Sequence, residues 1–234
     1  MALGDLARAN PSATRVFLRH RLDFCCGGRR SLAEACEKLG LDPIAIAIEL
    51  DQEARRNDSL PSWEHRSQVE LVDHIESHYH AALRRDLPPL INAARKVERV
   101  HAEKPGVPAG LGKLLAAFFT EMEHHMAKEE NVLFPMIRRG ACSEAAYMPV
   151  RVLEAEHDSH REYLEAIRAL TDDLLLPAGA CATWTALYEG LTTIEAELMQ
   201  HIHLENNILF RRATRERLVA PADHAPTSLP ASER

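Results

Sequence analysis

The chain has 234 residues, 46% of them hydrophobic and 27% charged, with a net charge of −7 at neutral pH. That length holds one large or two modest domains with a real core, and the acidic balance speaks against nucleic acid or an anionic membrane surface as the main partner, since both want a basic face. The opening MALGDLARAN lacks a basic stretch followed by an apolar run, and no segment approaches the roughly 18 apolar residues of a membrane span, so neither a signal peptide nor a membrane partner is expected.

Apolar residues recur at helical spacing, and no long β-branched alternation appears, so the chain is predicted to be all-α. Residues 1–58 form a small helical module. In it, Asn10-Pro11 opens a helix through Val16 and Leu18 that ends near the Cys25-Cys26-Gly27-Gly28 turn. Ser31 and Glu34 have capping-box spacing and start a helix to about Leu39, stopped by Gly40. Asp42-Pro43 opens the next, from Ile44 to about Arg55. The polar, turn-rich stretch from Arg55 to Ser67 is the linker.

Four long helical patterns follow over 67–217, at about 67–101, 109–139, 143–174 and 182–217. Pro88-Pro89 is expected to bend the first or end its first section. Gly140 stops the second, and Pro177 with Gly179 ends the third. Connections of several residues predict an up-down-up-down four-helix bundle. The tail, 218–234, is rich in Pro, Ala and Ser and reads as disordered.

The bundle carries one phrase twice. His-x-x-x-Glu-x-Asn-[Val/Ile]-Leu-Phe runs from His125 and again from His201, 76 residues later. A spacing of four sets His125 beside Glu129, and His201 beside Glu205, on one helix face. On a core-facing helix such pairs need partners. His80 precedes His125 by 45 residues and His157 precedes His201 by 44, so the chain reads as two helical hairpins of one layout. Stacked, they bring four histidines and two glutamates together. That set suits two metal ions, each held by two imidazoles, with the glutamates bridging. Imidazole and carboxylate suit iron, and also zinc or manganese; with no cysteine in the set, a thiolate site is excluded. A single His-x-x-x-Glu is ordinarily a surface pair worth about 0.3 kcal/mol; the duplication at matched spacing argues for ligands. His74, His78, His101, His124 and His203 keep the ordinary reading, exposed or beside the ligands. His160, one turn from His157, is a weaker candidate for an extra ligand.

With these residues in view, 67–217 resembles a hemerythrin-like di-iron bundle. Together with "DFCCGG", "KVERVHAEKP", "MAKEENVLFPMI" and "HIHLENNILF", nearly the whole chain except the tail is similar to the repair-of-iron-centres family. The chain departs from the oxygen-carrying hemerythrin pattern in two places. Arg161 stands where that pattern has a second histidine four residues after His157, and Glu205 follows His201 by four rather than an aspartate by five. The repair family shares both changes. The resemblance implies His80, His125, Glu129, His157, His201 and Glu205 as ligands of an oxo- and carboxylate-bridged pair of iron ions.

Two carboxylates and one oxo bridge would leave two ferric ions a net charge of about +2, which nearby acids would stabilise. Glu121, one turn before His125, and Glu156, beside His157, are therefore candidate outer or iron-transit residues, as the resemblance also implies. So sparse an anionic set suggests iron held loosely enough to donate. Five cysteines at irregular spacing are no disulfide framework and point to reduced thiols and a cytoplasmic protein. Glycines after Cys25-Cys26 keep that pair approachable, as a redox or iron-handling site; Cys36, Cys142 and Cys181 read as structural. The resemblance implies repair of iron–sulfur clusters after nitrosative or oxidative damage, with proteins carrying damaged clusters as partners and NO or O2 as small ligands. The alternatives are a di-iron nitric oxide reductase making N2O and a sensor of O2 or NO. The oligomeric state is left open, a homodimer included.

Overall fold

The computed structural model describes residues 1–56, 60–140 and 144–215, and these contain helices and no strand. The first four helices build the N-terminal module: α1 (Leu3–Ala9), α2 (Ala13–Arg19), α3 (Leu32–Leu39) and α4 (Pro43–Ala54). Helix α3 starts at the expected capping box, with the Glu34 N–H donating to Ser31 Oγ at 3.2 Å, and stops at Gly40, whose φ of 66° is left-handed. Helix α4 begins with Pro43 behind the Asp42 side chain, which accepts from the Ile44 N–H at 2.9 Å. Helix α1 has no counterpart in the sequence reading. It forms because Leu3 and Ala7, one turn apart, close a small core with Val16, Phe17, Leu22, Phe24, Cys36 and Ile46. Helix α2 starts at Ala13, two residues after the proline expected to open it, because Asn10 and Pro11 shape a turn: Asn10 Oδ1 accepts from the Ser12 N–H at 3.2 Å.

Four long helices make the bundle. Helix α5 spans 68–100, α6 spans 111–138, α7 is Glu144–Leu170 and α8 spans 182–215. Neighbours run antiparallel. The start of α5 meets the end of α6 through Arg138, which donates to Asp73 and Glu76 at 2.6 Å. The end of α5 meets the start of α6 through the Gly112 N–H, which donates to Glu98 at 2.6 Å. Arg168 to Glu195 at 2.7 Å and His157 to Asn206 at 2.8 Å pair α7 with α8 in the same sense.

Two expectations are corrected. Pro88-Pro89 does not end a section of α5, which stays helical from Ala81 to Val100. Pro88 is half-buried and Pro89 exposed, while Leu83, Leu87, Ile91 and Ala94 hold the inner face. Helix α7 ends at Leu170 rather than near 174, because Asp172, Asp173 and Leu174 turn left-handed at φ 48°, 61° and 61°. The Thr171 hydroxyl fixes that turn, donating to the Ile167 carbonyl at 2.8 Å and accepting from the Leu174 N–H at 3.2 Å. The predicted tail lies outside the described residues, as does Cys142.

Helices α5, α6 and α8 each widen for one stretch into a π-helix, at Ile75–His80, Glu129–Leu133 and Leu204–Leu209. The extra residue per turn changes which side chains share a face. Glu129, Leu133 and Phe134 all reach the interior, as do Glu205, Leu209 and Phe210. The polar residues therefore lie between two apolar layers. Leu83, Met122, Met126, Leu198 and Ile202 belong to one, and Ile75, Leu133, Phe134, Leu209 and Phe210 to the other.

The module docks on α7 and α8. Arg211 reaches Asp5 at 2.9 Å and Arg21 reaches Asp173 at 2.8 Å. Asn207 donates to the Phe24 carbonyl at 3.0 Å, and a Cβ on Gly4 would lie 2.3 Å from its side-chain oxygen, so this close approach requires glycine.

Candidate metal centre

His80, His125, Glu129, His157, His201 and Glu205 converge inside the bundle, each 1% exposed or less. Two sets of ligand atoms each lie within 4.8 Å of one another: His80, His201, Glu129 and Glu205, and His125, His157, Glu129 and Glu205. The glutamates belong to both sets. Each set takes one histidine from each hairpin. The Glu205 carboxylate divides its oxygens, Oε1 lying 2.9 Å from His201 Nε2 and Oε2 lying 3.2 Å from His157 Nε2. Glu129 Oε2 lies 3.3 Å from His80 Nε2 and 3.5 Å from His125 Nε2.

These separations suit metal ligands. Atoms about 2.1 Å from a shared ion and at right angles lie about 3.0 Å apart. The Nε2 atoms of His125 and His157 face each other at 3.0 Å. His80 Nε2, both Glu129 oxygens and Glu205 Oε2 are buried without a hydrogen-bond partner. Buried polar atoms left this way are costly, and a cation among them would satisfy all of them.

The outer nitrogens are fixed by side chains that accept a hydrogen bond. His80 Nδ1 donates to Glu130 at 2.8 Å, His125 Nδ1 to Glu156 at 2.9 Å and His157 Nδ1 to Asn206 at 2.8 Å. Each bond places the hydrogen on Nδ1 and leaves the Nε2 lone pair facing the centre. Arg84 grips Glu130 at 2.7 and 3.1 Å, and Lys128 pairs with Glu156. His201 Nδ1 has no such partner; the Tyr79 ring stacks on it instead, 5.3 Å away and 4° from parallel.

The cluster's own charges displace its protonation. Burial opposes the charged form of His157, but Glu205 and Glu129 pull its pKa up to about 9. Burial likewise opposes charge on His80, and Glu129, Glu205 and Glu130 lift it to about 8. Burial and Glu205 push Glu129 up; against its own burial, His201 and His157 hold Glu205 well below the usual carboxylate range. A cation would take the place of the protons these groups share.

Other predicted residues divide. Glu156 stands at the centre's edge, its pKa held down to about 2 chiefly by the His125 bond. Glu121 is exposed on α6 and lies outside the cluster. His160 is buried, and its ligand atom lies with those of His125 and His157 within 4.8 Å. Cys25 and Cys26 lie beside the centre: Cys26 Sγ is 3.5 Å from the His157 carbonyl, and the Asn206 amide donates to the Cys25 carbonyl at 3.3 Å. The neighbouring Cys26, burial and Asp23 push the Cys25 thiol up. His203 is not exposed. It is buried against Phe24 and bonded to Asn207 at 3.0 Å. His101 Nε2 lies 3.2 Å from Cys181 Sγ, at the start of α8.

The sequence reading missed Glu130 and Asn206 as orienting groups. The signal was present: both occupy the variable position between Glu and Asn in the repeated phrase. Each supports the histidine of the other helix in its own hairpin.

Residues 71–213 match the hemerythrin HHE cation binding domain family, and residues 1–54 match a domain of unknown function, DUF542. The chain is 47% identical over 214 residues to the iron-sulfur cluster repair protein YtfE of Yersinia pseudotuberculosis serotype IB (strain PB1/+), covering 92% of this chain and 96% of that protein. The protein of the same name from Yersinia pestis (strain Pestoides F) gives the same identity and coverage. With an HHE domain over more than half its sequence and relatives this similar along nearly their full length, the chain belongs to the hemerythrin HHE family, among the iron-sulfur cluster repair proteins named YtfE.

Proposed function

We propose that this chain repairs iron–sulfur clusters damaged by nitrosative or oxidative stress, by donating iron from a carboxylate- and oxo-bridged di-iron centre. The observation that carries the reading is the pair of four-ligand sets sharing Glu129 and Glu205. One ion would be held by His80 and His201, the other by His125 and His157, with both glutamates common. The names of the relatives support repair as the task, and proteins with damaged clusters are then the partners. When bound, the iron pair supplies exchangeable iron and a place for small ligands such as NO or O2.

The chain's own residues set how firmly that iron is held. Glu130, Glu156 and Asn206 keep the hydrogen on Nδ1 of their histidines, so Nε2 stays a donor. His201 lacks that support and is positioned by stacking on Tyr79. The apolar layers on both sides exclude water. Release needs protons to return to Nε2 and to the glutamates. Glu156, half-exposed and paired with Lys128, and Glu121 one turn before His125, serve as the outward step for iron. Cys25 and Cys26 handle it on the module side. No helix among the described residues is long and apolar enough to cross a membrane.

Elemental analysis of protein purified under air, with an absorption spectrum, is the first test. About two irons per chain with oxo-bridged ferric bands are expected. Incubation with an apo-cluster protein should then transfer iron. Zinc or no metal in folded, iron-supplied protein would overturn the reading; N2O production with an electron source and no iron transfer would replace donor by reductase.

A further inference from the structure

The Cys25-Cys26 turn is built more tightly than two approachable thiols require. Asp23 curls back over it, its Oδ1 accepting from the Cys26 N–H at 3.0 Å and lying 3.4 Å from Cys25 Sγ. The two sulfurs are 3.7 Å apart. Gly27 makes the curl feasible: a Cβ there would lie 2.8 Å from the Asp23 carbonyl and 2.9 Å from Asp23 Oδ2. All three ligand atoms fall within 4.8 Å of one another. In a tetrahedral site with sulfur about 2.3 Å and oxygen about 2.0 Å from the ion, ligand edges are about 3.8 Å between sulfurs and about 3.5 Å between sulfur and oxygen.

We propose that Asp23, Cys25 and Cys26 form a second metal site, for a single borderline divalent cation such as Fe(II), Co(II) or Zn(II). Two thiolates and one carboxylate hold the ion, and each thiol releases its proton to solvent as its sulfur–metal bond forms. The fourth position is open. A cavity of about 870 Å³ reaches Cys25 and Cys26 from the side of Asp158 and Asn206, and a second of about 310 Å³ reaches them from the side of Met199 and Arg161. Arg161, which lines that second cavity, is paired with Glu165 at 2.6 Å.

The site is linked to the buried centre by Asn206 and by Cys26 Sγ, which lies 3.5 Å from the His157 carbonyl. Asn206 donates to the Cys25 carbonyl and accepts from His157 Nδ1. Resting on the donor reading above, the three-ligand site is a way-station: once an external one-electron reductant has taken the buried ions to Fe(II) and the oxo group has left as water with two protons, the site takes one Fe(II) from the His125/His157 side and presents it, one position open, to a client's sulfur ligands.

The test is an anaerobic Co(II) titration of the full-length chain whose buried centre already holds iron. One Co(II) per chain should bind with thiolate-to-cobalt charge-transfer bands and tetrahedral d–d bands. C25S and C26S should each abolish the charge-transfer signature of a two-thiolate site, and D23N should weaken binding at least tenfold. Absence of these bands in protein whose thiols react with a thiol reagent would overturn the site, and so would unchanged affinity in D23N. Iron transfer to an apo-cluster protein separates the two readings. No transfer by the wild type removes the donor reading while leaving the cobalt site standing. Equal transfer by wild type and the C25S/C26S double variant removes the way-station while leaving the donor reading intact.

Discussion

The two hairpins of the bundle place the same histidines and glutamates in different surroundings. In the first, over 68–138, the residue inside the repeated phrase is Glu130, locked by Arg84 at the surface. In the second, over 144–215, it is Asn206, tied to the Cys25 carbonyl of the N-terminal module. The residue before the first histidine of each hairpin also differs: Tyr79 stacks on His201, whereas Glu156 accepts from His125. The following asparagine is exposed as Asn131 and buried as Asn207. The duplicated pattern thus carries the same histidine and glutamate pairs, while the support around them has diverged. The first hairpin is held by surface charge, and the second is held by the module.

The strongest way to break the comparison is to remove a carboxylate common to both halves. Glu205→Ala should lose both ions, lowering iron content from about two per chain to below one half, as elemental analysis would read. Retention of one firmly held iron would mean that the two sets are independent.

Removing one orienting group from each hairpin sharpens it. Glu130→Gln and Asn206→Ala should each weaken metal binding by about 10–100-fold, the usual effect of losing a partner behind a ligand. Of the two, Asn206→Ala should also change the alkylation rate of Cys25 and Cys26, because Asn206 donates to the Cys25 carbonyl. Equal thiol reactivity in the two variants would mean that Asn206 does not couple the Cys25-Cys26 turn to the centre.

The paired asparagines differ in stability. Asn207→Ala removes buried bonds to Phe24 and His203 and should cost about 1–3 kcal/mol in chemical denaturation. Asn131→Ala, exposed and bonded only within its own helix, should stay within about 0.5 kcal/mol of the wild type.

The smallest effect separates Glu156 from its counterpart Tyr79. The Glu156 pKa is held at about 2 against an ordinary 4.5, so its contribution is complete above pH 4.5 and is lost as pH falls toward 2. In metal-free protein the wild type should lose about 1 kcal/mol more stability between pH 5 and pH 3 than Glu156→Gln, after allowing for solvent screening. Equal pH slopes would place the carboxylate outside the stabilising network.

Legibility followed the range of the interactions. Capping at Ser31 and Asp42 and the one-turn spacing of His125 with Glu129 are local, so residue order alone determined them. The same holds for the repetition of the phrase, which marked four of the six residues now found together, with His80 and His157 added by the matched spacings of 45 and 44 residues. Helix α1 depends on a face buried by distant partners, and Pro88-Pro89 passes because neighbouring helices hold α5 from the inside. The sharing of Glu129 and Glu205 was expected from the sequence, but that each set takes one histidine from each hairpin appears only when α5 to α8 pack. The place of Cys25-Cys26 beside His157 was invisible for the same reason, since the two are 131 residues apart. Local hydrogen bonds and helical period are written into neighbouring residues, whereas burial and cross-helix contacts exist only once the chain has closed on itself.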